Sequence, residues 1–194
     1  MPTLLDAIHQ RYACRQFVAG QTVGAGELRV LREAGRLAPS AFGLEPWRFI
    51  TVTGETERAS LARACYDQPA AATAAALIVI VALVDALDPD SDYVHARFEA
   101  ETRGQDTASI YETYRAFHHA EDVSAWARGQ CNFAAAHILL QAAHLGLGSC
   151  PIGGFDETAL RAALNISPGE SPALVIGLGQ CAYTAPQRMR KDSD

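Results

Sequence analysis

The chain has 194 residues, of which 49% are hydrophobic and 20% are charged, and this composition is that of an ordinary globular protein rather than a disordered or repetitive one. The net charge of −6 disfavours nucleic acid and anionic membranes as partners. The longest apolar run, residues 74–84, is about half as long as the ~20 residues of a membrane helix, and the N-terminus resembles no export signal, so we expect one cytoplasmic domain over residues 1–194.

The first half of the chain alternates between helical and extended patterns. Apolar residues recur at helical spacing in three segments, and an unbroken β-branched run is typical of a strand buried on both faces. In order, the pattern predicts a helix over 3–12 capped by Thr3 with Leu4, Leu5 and Ile8 on one face, a helix over 25–38 ended by Pro39, a strand over 47–53, a helix over 55–65 and a strand over 77–84.

The second half is dominated by helical patterns. Residues 85–121 are polar with irregularly spaced aromatics, which indicates helices without clear boundaries. Residues 123–146 are apolar almost all round, so this helix should lie in the core or in a subunit interface. A short helix capped by Asp156 and a strand over 173–182 complete the order. Few strands among many helices favour an α+β sandwich over a doubly wound sheet.

The five cysteines are odd in number, widely spaced and free of any CxxC pair; they are Cys14, Cys65, Cys131, Cys150 and Cys181. This pattern disfavours a disulfide framework, a zinc ribbon and a thioredoxin-type site, and it favours buried free thiols. The histidines form no HxxxH pair, so we expect no metal site. Nucleotide-binding and hydrolase motifs of the GxGxxG, GxxxxGK[ST] and GxSxG types are also absent from the sequence.

The segment APSAFGLEPWRF, residues 38–49, places two prolines and three aromatic residues directly after an amphipathic helix. The backbone N–H groups between the prolines have no regular ladder to join. The segment is therefore either a helix-to-strand connector or a flat, apolar slot lined with hydrogen-bond donors.

Three other segments accompany this loop: RYACRQF (11–17), LGLGSCPIGGFD (145–156) and PQRMR (186–190). Together and in this order, the four segments resemble the nitroreductase family of FMN-dependent oxidoreductases, and residues 122–156 are similar to its shorter, minimal-type bacterial members. The resemblance spans nearly the whole chain. It implies an α-β-α sandwich, with a central, mostly antiparallel sheet flanked by helices, that assembles as a homodimer with FMN at the interface.

The resemblance also implies roles for the first two segments. Arg11 would hold the FMN phosphate, and Arg15 would reach the pyrimidine edge of the flavin, where a fixed cation favours the reduced form. Ala13 stands where the family commonly has serine. Pro39, Ser40 and Ala41 would meet the flavin from the partner subunit. Gly43 and Glu45 stand where asparagine and glutamine are usual. Without the resemblance, Arg11 and Arg15 would be interpreted as part of a solvent-exposed helix face.

The last two segments acquire roles in the same way. Pro151, Ile152, Gly153 and Gly154 would lie along the flavin face and edge, where glycine permits close approach. Gln68 would contribute an amide near the ring, and Arg188 and Arg190 would close on the phosphate. The plain alternatives are a helix-stop turn, an exposed turn residue and a solvated tail.

The function that the resemblance implies is the transfer of electrons from NAD(P)H to nitroaromatic, quinone or similar small-molecule acceptors by ping-pong hydride transfer. The expected aromatic walls of the acceptor site are Phe42, Tyr66, Tyr114 and Phe117. We assign no catalytic side chain, because the cofactor carries the hydride. Alternatives are a flavoenzyme with another reaction, such as enone reduction or oxidative dehydrogenation, and a non-enzymatic flavin-binding protein.

Overall fold

The computed structural model describes residues 3–103, 105 and 107–191. Helices and strands alternate along the chain as far as the middle, and helices then dominate up to the last two strands. The elements are α1 (Leu4–Gln10), α2 (Ala25–Arg36), β1 (Trp47–Val52), α3 (Glu55–Ala64), α4 (Pro69–Ala72), β2 (Ala76–Ala82), α5 (Asp92–Thr102), α6 (Ala108–Ala120), α7 (Val123–His144), β3 (Gly148–Ile152), α8 (Glu157–Leu164) and β4 (Ser171–Gly179).

A four-stranded antiparallel sheet with strand order β1-β2-β4-β3 forms the middle layer. All seven residues of β2 are buried, which explains the uninterrupted β-branched run in its sequence. The side chains of β2 alternate between two core clusters. Ile78 and Ile80 belong to a cluster with Leu31 of α2 and Ile138 of α7, whereas Val79 belongs to a second one on the opposite face.

The second cluster joins the sheet to α3, α4 and α8 through Leu61, Ala70 and Leu160. One layer of helices therefore covers each face of the sheet, and the predicted α-β-α sandwich is confirmed. The helix starts are also as predicted. Thr3 and Asp156 each accept a hydrogen bond from the backbone N–H three residues later, at 3.2 Å and 3.0 Å.

Two elements, β3 and α4, are absent from the sequence-based prediction. The sequence of β3, GSCPI, begins at the second of two closely spaced glycines and carries a proline, a pattern that is typical of a turn. As an edge strand of the sheet, β3 tolerates Pro151 because it has a full partner strand, β4, on one side alone. Helix α4 has a single turn, too short to show a period.

The cysteine prediction is wrong for one pair. Cys14 and Cys181 form a disulfide across a sequence separation of 167 residues, while Cys65, Cys131 and Cys150 are free and buried as expected. Local spacing could not reveal the pair. The two cysteines meet because the chain after α1 and the chain after β4 run side by side, with Phe17 paired to Cys181 in an isolated antiparallel bridge.

Candidate functional site

The segment that follows α1 runs along the edge strand β3. Ala13 forms a parallel bridge with Ser149, and the N–H of Cys14 donates to the Ser149 carbonyl at 3.0 Å. Both Arg11 and Arg15 lie near enough to Cys150 to oppose, in part, the rise in the pKa of its thiol that burial causes. The structure thus brings the predicted arginine pair to residues 151–154, where β3 ends and the glycine turn, Gly153 and Gly154, follows.

The turn itself presents backbone rather than side chains. Pro151, Gly153 and Gly154 are exposed, while the Ile152 side chain is buried in the core and only its backbone can face a ligand. The amide Nε2 of Gln68 donates to the Gly154 carbonyl at 2.8 Å. Gln68 is therefore next to the glycine turn, as its predicted role requires, with one amide hydrogen already engaged.

The C-terminal tail, residues 182–191, returns to the end of α1. Arg188 donates to the carbonyls of His9 and Arg11. The pKa of Arg11 is lowered by burial and then by the like charges of Arg188 and Arg190, so three guanidinium groups converge. None of the three forms an ion pair with a carboxylate of the described residues.

These cations surround a cavity of about 470 Å³ that residues 9–13, Arg15, Tyr183 and residues 185–190 line. Uncompensated positive charge around a cavity favours a bound anion, and a phosphate accepts several such donors at once. The residues present therefore fit a phosphate group, which is the anionic end of FMN.

Tyr183 organises this cavity, although the sequence analysis did not single it out. Its hydroxyl accepts a hydrogen bond from the Arg15 N–H at 2.7 Å and lies 3.3 Å from the Ala13 carbonyl, to which it donates. Its own carbonyl accepts from the Tyr12 hydroxyl at 3.0 Å. The only sequence signal was an aromatic residue in an otherwise polar tail.

The loop between α2 and β1, residues 38–46, does not lie beside the cationic cavity within one chain. The Ala41 N–H donates to Oε1 of Gln130 in α7 at 2.9 Å, whereas Ala143 of α7 lines a cavity together with Arg11. At 1.5 Å per residue, these two positions on α7 are ~20 Å apart. Within one chain, Pro39, Ser40 and Ala41 are therefore remote from the arginine cluster.

Helix α5 holds this loop in an unusual backbone conformation. Phe42, Gly43 and Glu45 have φ values of 58°, 63° and 43°. Arg97 donates to the Gly43 carbonyl at 2.8 Å and to the Glu45 carboxylate at 2.6 Å, and a Cβ on Gly43 would lie 2.8 Å from Oε2 of Glu101. Glycine at 43 thus permits the close packing against α5, and the charge of Glu45 is balanced within the chain.

The structure corrects one of the predicted aromatic walls. Tyr114 is fully buried, its hydroxyl donates to the Leu87 carbonyl at 2.6 Å, and burial raises its pKa to about 12. It is a core residue, so a substrate cannot reach it in this conformation. Phe42 and Phe117 are half-buried and pack on it, with ring centroids 5.2 Å and 6.2 Å away, whereas Tyr66 is exposed.

Two features are absent from residues 3–103, 105 and 107–191. No group of three or more histidine, cysteine, aspartate or glutamate residues there is arranged to hold a metal ion. No helix within the same residues is long and apolar enough to cross a membrane.

The protein is therefore an α+β sandwich with an anion site beside the edge strand β3. Comparison with known proteins identifies its family. The family model described as "Nitroreductase family" matches residues 8–180. The chain belongs to the nitroreductase family. The resemblance drawn from the four sequence segments is thereby confirmed, together with the class it implied, a flavin-dependent oxidoreductase.

Individual relatives agree with this assignment. The chain is 28% identical to an oxygen-insensitive NADPH nitroreductase of Helicobacter acinonychis over 95% of this chain and 90% of the relative. It is 35% identical to an NADH dehydrogenase of Thermus thermophilus over 79% of this chain and 75% of the relative. An Exiguobacterium sibiricum protein of nitroreductase type, solved in complex with FMN, superposes with a TM-score of 0.80 at 19% identity, covering 99% of this chain and 94% of the other.

Proposed function

We propose that this protein uses FMN and NAD(P)H to reduce nitroaromatic, quinone or similar acceptors in two half-reactions. The observation that carries the proposal is the convergence of Arg11, Arg188 and Arg190 on one cavity beside an exposed glycine turn. The names of the relatives support both the cofactor and the nicotinamide donor.

When bound, FMN supplies a ring that takes two electrons from a nicotinamide and gives them to an acceptor. The protein's own part is binding and electrostatics. Arg11, Arg188 and Arg190 would bind the phosphate, and Arg15 would favour negative charge on the pyrimidine edge of the ring. Gly153 and Gly154 have no side chains to keep a flat ring away from the backbone.

We assign no catalytic side chain. Cys150 is a free thiol near the arginine pair, but it is only 7% exposed and burial raises the pKa of its thiol. A thiol of this kind is a poor nucleophile at neutral pH. Its place in the fold is that of a core residue beneath the site.

We further propose that the active form is a homodimer whose flavin sites lie at the interface. Leu4, Leu5 and Ile8 of α1 are 67%, 60% and 38% exposed, although the sequence pattern places them on one face. A cavity of about 430 Å³ between α1, α2 and α7 continues this apolar surface. The ~20 Å separation of residues 39–41 from the arginine cluster supports the same assembly, because a second copy could bring the two parts of the site together.

The test is a half-reaction experiment under anaerobic conditions. FMN-loaded protein is mixed with NADH or NADPH, and loss of the flavin absorbance is followed before a nitroaromatic, a quinone or an enone is added. We expect bleaching by a nicotinamide and recovery with the nitroaromatic and quinone. Recovery with the enone alone would replace the proposed acceptor class, and the absence of bleaching by either nicotinamide would refute the proposed donor.

A further inference from the structure

The disulfide joins the two segments that form the cationic cavity. Cys14 lies in the segment that carries Arg11, and Cys181 directly precedes the tail that carries Arg188 and Arg190. One covalent bond therefore links the two sides of the cavity, which are residues 9–15 and the C-terminal tail.

We propose that Cys14 and Cys181 form a thiol–disulfide exchange site that controls how firmly the tail, residues 182–191, closes on a bound phosphate. In the oxidised protein the tail is anchored and its arginines face the cavity. Two-electron reduction releases the anchor and weakens the phosphate site. The proposal rests on the proposed function only for the statement that the bound phosphate is that of FMN.

The surrounding structure leaves room for the sulfur pair. A Cβ on Gly148 would lie 3.2 Å from the Cβ atoms of both Cys14 and Cys181 and 3.0 Å from the Gly179 carbonyl oxygen, so a larger residue in β3 would push the segments apart. Backbone bonds flank the pair. The Val18 N–H donates to the Gln180 carbonyl at 2.9 Å.

On the other side of the pair, the Ala182 N–H donates to the Gln16 carbonyl, also at 2.9 Å. These two bonds do not depend on the disulfide. After reduction they hold Cys14 and Cys181 near each other only while they stay formed, so the same bond can form again although the covalent limit on the tail is lost.

Access decides which sulfur reacts. Cys14 is 0% exposed, whereas Cys181 is half-buried and lines a cavity of about 290 Å³ together with Arg11 and Tyr183. An external thiolate therefore attacks the Cys181 sulfur, and the nearby Arg11 cation favours the thiolate form of the attacking group.

The exchange balances with a dithiol as the reductant. Its thiolate forms a bond to the Cys181 sulfur, the Cys14–Cys181 bond breaks, and Cys14 leaves as a thiolate that takes up a proton. The second thiol of the reagent then displaces Cys181, which is also protonated. Two electrons and two protons pass to the protein, and the dithiol becomes a cyclic disulfide.

Beyond Ala182, exposed contacts hold the tail. They are the hydrogen bonds of Tyr183 to Tyr12, Ala13 and Arg15, and those of Arg188 to the carbonyls of His9 and Arg11. Exposed hydrogen bonds contribute little to the position of a chain end, so the anchor at residue 181 determines how often Arg188 and Arg190 occupy the cavity. Reduction lowers this occupancy.

The experiment compares the oxidised full chain with the chain reduced by dithiothreitol. A non-reducing tryptic digest establishes whether peptide 12–15 is linked to peptide 162–188. The dissociation constants of FMN and riboflavin are then measured by flavin fluorescence in both states. We expect the FMN constant to rise about tenfold on reduction, the equivalent of one charge-assisted contact, and the riboflavin constant to remain unchanged.

Three variants separate the anchor from general effects of reduction. The double variant Cys14→Ser, Cys181→Ser should bind FMN as the reduced protein does, with or without dithiothreitol. Cys65→Ala, which changes a free buried cysteine, should keep the full response. In the double variant Arg188→Ala, Arg190→Ala, reduction should no longer affect FMN binding.

Failure to find the linked peptides after treatment with oxidised dithiothreitol would overturn the proposal, and so would equal FMN constants in the two states. If neither state binds flavin, the proposed function fails on its own. The proposal is then decided by trypsin cleavage after Arg188, which must be faster in the reduced protein. Equal cleavage rates would overturn it.

Discussion

Arg97 of α5 is tied to Glu45 by an ion pair of 2.6 Å between Nη2 and Oε1. The same guanidinium donates through Nε and Nη2 to the Gly43 carbonyl, at 3.0 Å and 2.8 Å. Glu45 has a positive φ, which residues other than glycine rarely adopt. The loop therefore needs contacts such as these to keep its backbone conformation. Arg97 thus holds the loop that carries Ser40 and Ala41.

We predict that Arg97→Gln lowers the free energy of unfolding by about 1 to 2 kcal/mol and increases protease cleavage within residues 38–46, because a carbonyl and a carboxylate lose their donors. Glu45→Gln should cost less, since the Gly43 contacts remain. Denaturant unfolding and limited proteolysis measure both effects. Arg63→Gln, at an exposed arginine of α3, serves as the control. An unchanged loop in Arg97→Gln would show that the backbone shape is maintained without this contact.

The phosphate assignment predicts a difference between two flavins. Arg11→Ala and Arg188→Ala should each weaken FMN by about 1.5 to 3 kcal/mol, the range for a hydrogen bond to a charged group, while riboflavin binding changes little. Titration of the apoprotein with both flavins gives the comparison. Arg161→Ala, which lies in α8 and bonds to Glu157, is a matched control on another part of the surface. Equal losses for FMN and riboflavin would place the arginines away from the phosphate.

Arg15 carries a separate prediction about electron affinity. Arg15→Gln retains hydrogen-bonding capacity but removes the charge, so the midpoint potential of the bound flavin should fall. A drop of about 30 mV in a two-electron couple corresponds to about 1.4 kcal/mol, a reasonable effect for one partly screened cation. A dye-coupled redox titration of parent and variant measures it. An unchanged potential with an intact flavin spectrum would place Arg15 outside the flavin environment.

The exposed apolar face of α1 predicts the assembly. Leu5→Glu should shift a dimer toward monomer and weaken FMN binding at the same time, because a buried charge opposes association and the shared site is lost. Analytical ultracentrifugation with a parallel FMN titration follows both. Ala59→Glu, at an exposed position of α3 on the opposite side of the sheet, should change neither. A monomeric parent protein that still binds FMN would contradict the interface model.

The Arg48–Glu170 pair predicts how stability depends on pH. Two hydrogen bonds that Arg48 donates to the Glu170 carboxylate, at 2.5 Å and 2.7 Å, hold the pKa of this carboxyl below its usual 4.5. A carboxyl with a lowered folded-state pKa contributes stability above pH 4.5 and loses it as the pH falls toward the folded-state value. Glu170→Gln should therefore cost about 1 kcal/mol at pH 7 and progressively less below pH 4.5. A cost that does not depend on pH would mean that the ion pair contributes no net stability.

The sequence predicts most of the fold because its strongest patterns come from buried elements. The β-branched run of β2 matches a strand that is buried on both faces, and the apolar sequence of α7 matches a helix that packs one face into the core. Strand β3 was missed because its pairing depends on β4, which lies some 20 residues further along the chain, rather than on its own pattern. The arginine pair and the glycine turn were found through the family resemblance, since neither is distinctive alone.

Other parts of the site depend on long-range contacts. The disulfide joins residues 167 positions apart. Tyr183 acquires its role only where the tail meets residues 12–15, and Arg97 acts on a loop 52 residues before it in sequence. Tyr114 was misassigned because an aromatic residue in a polar helix looks the same in the sequence whether it faces a ligand or the core.

The most direct test of the account is the visible spectrum of the purified protein, recorded before and after incubation with FMN and gel filtration. The cationic cavity and the glycine turn predict a yellow protein with about one FMN per subunit, bound more tightly than riboflavin. A colourless protein that takes up no FMN would contradict the central claim that this chain is a functional flavoprotein of its family.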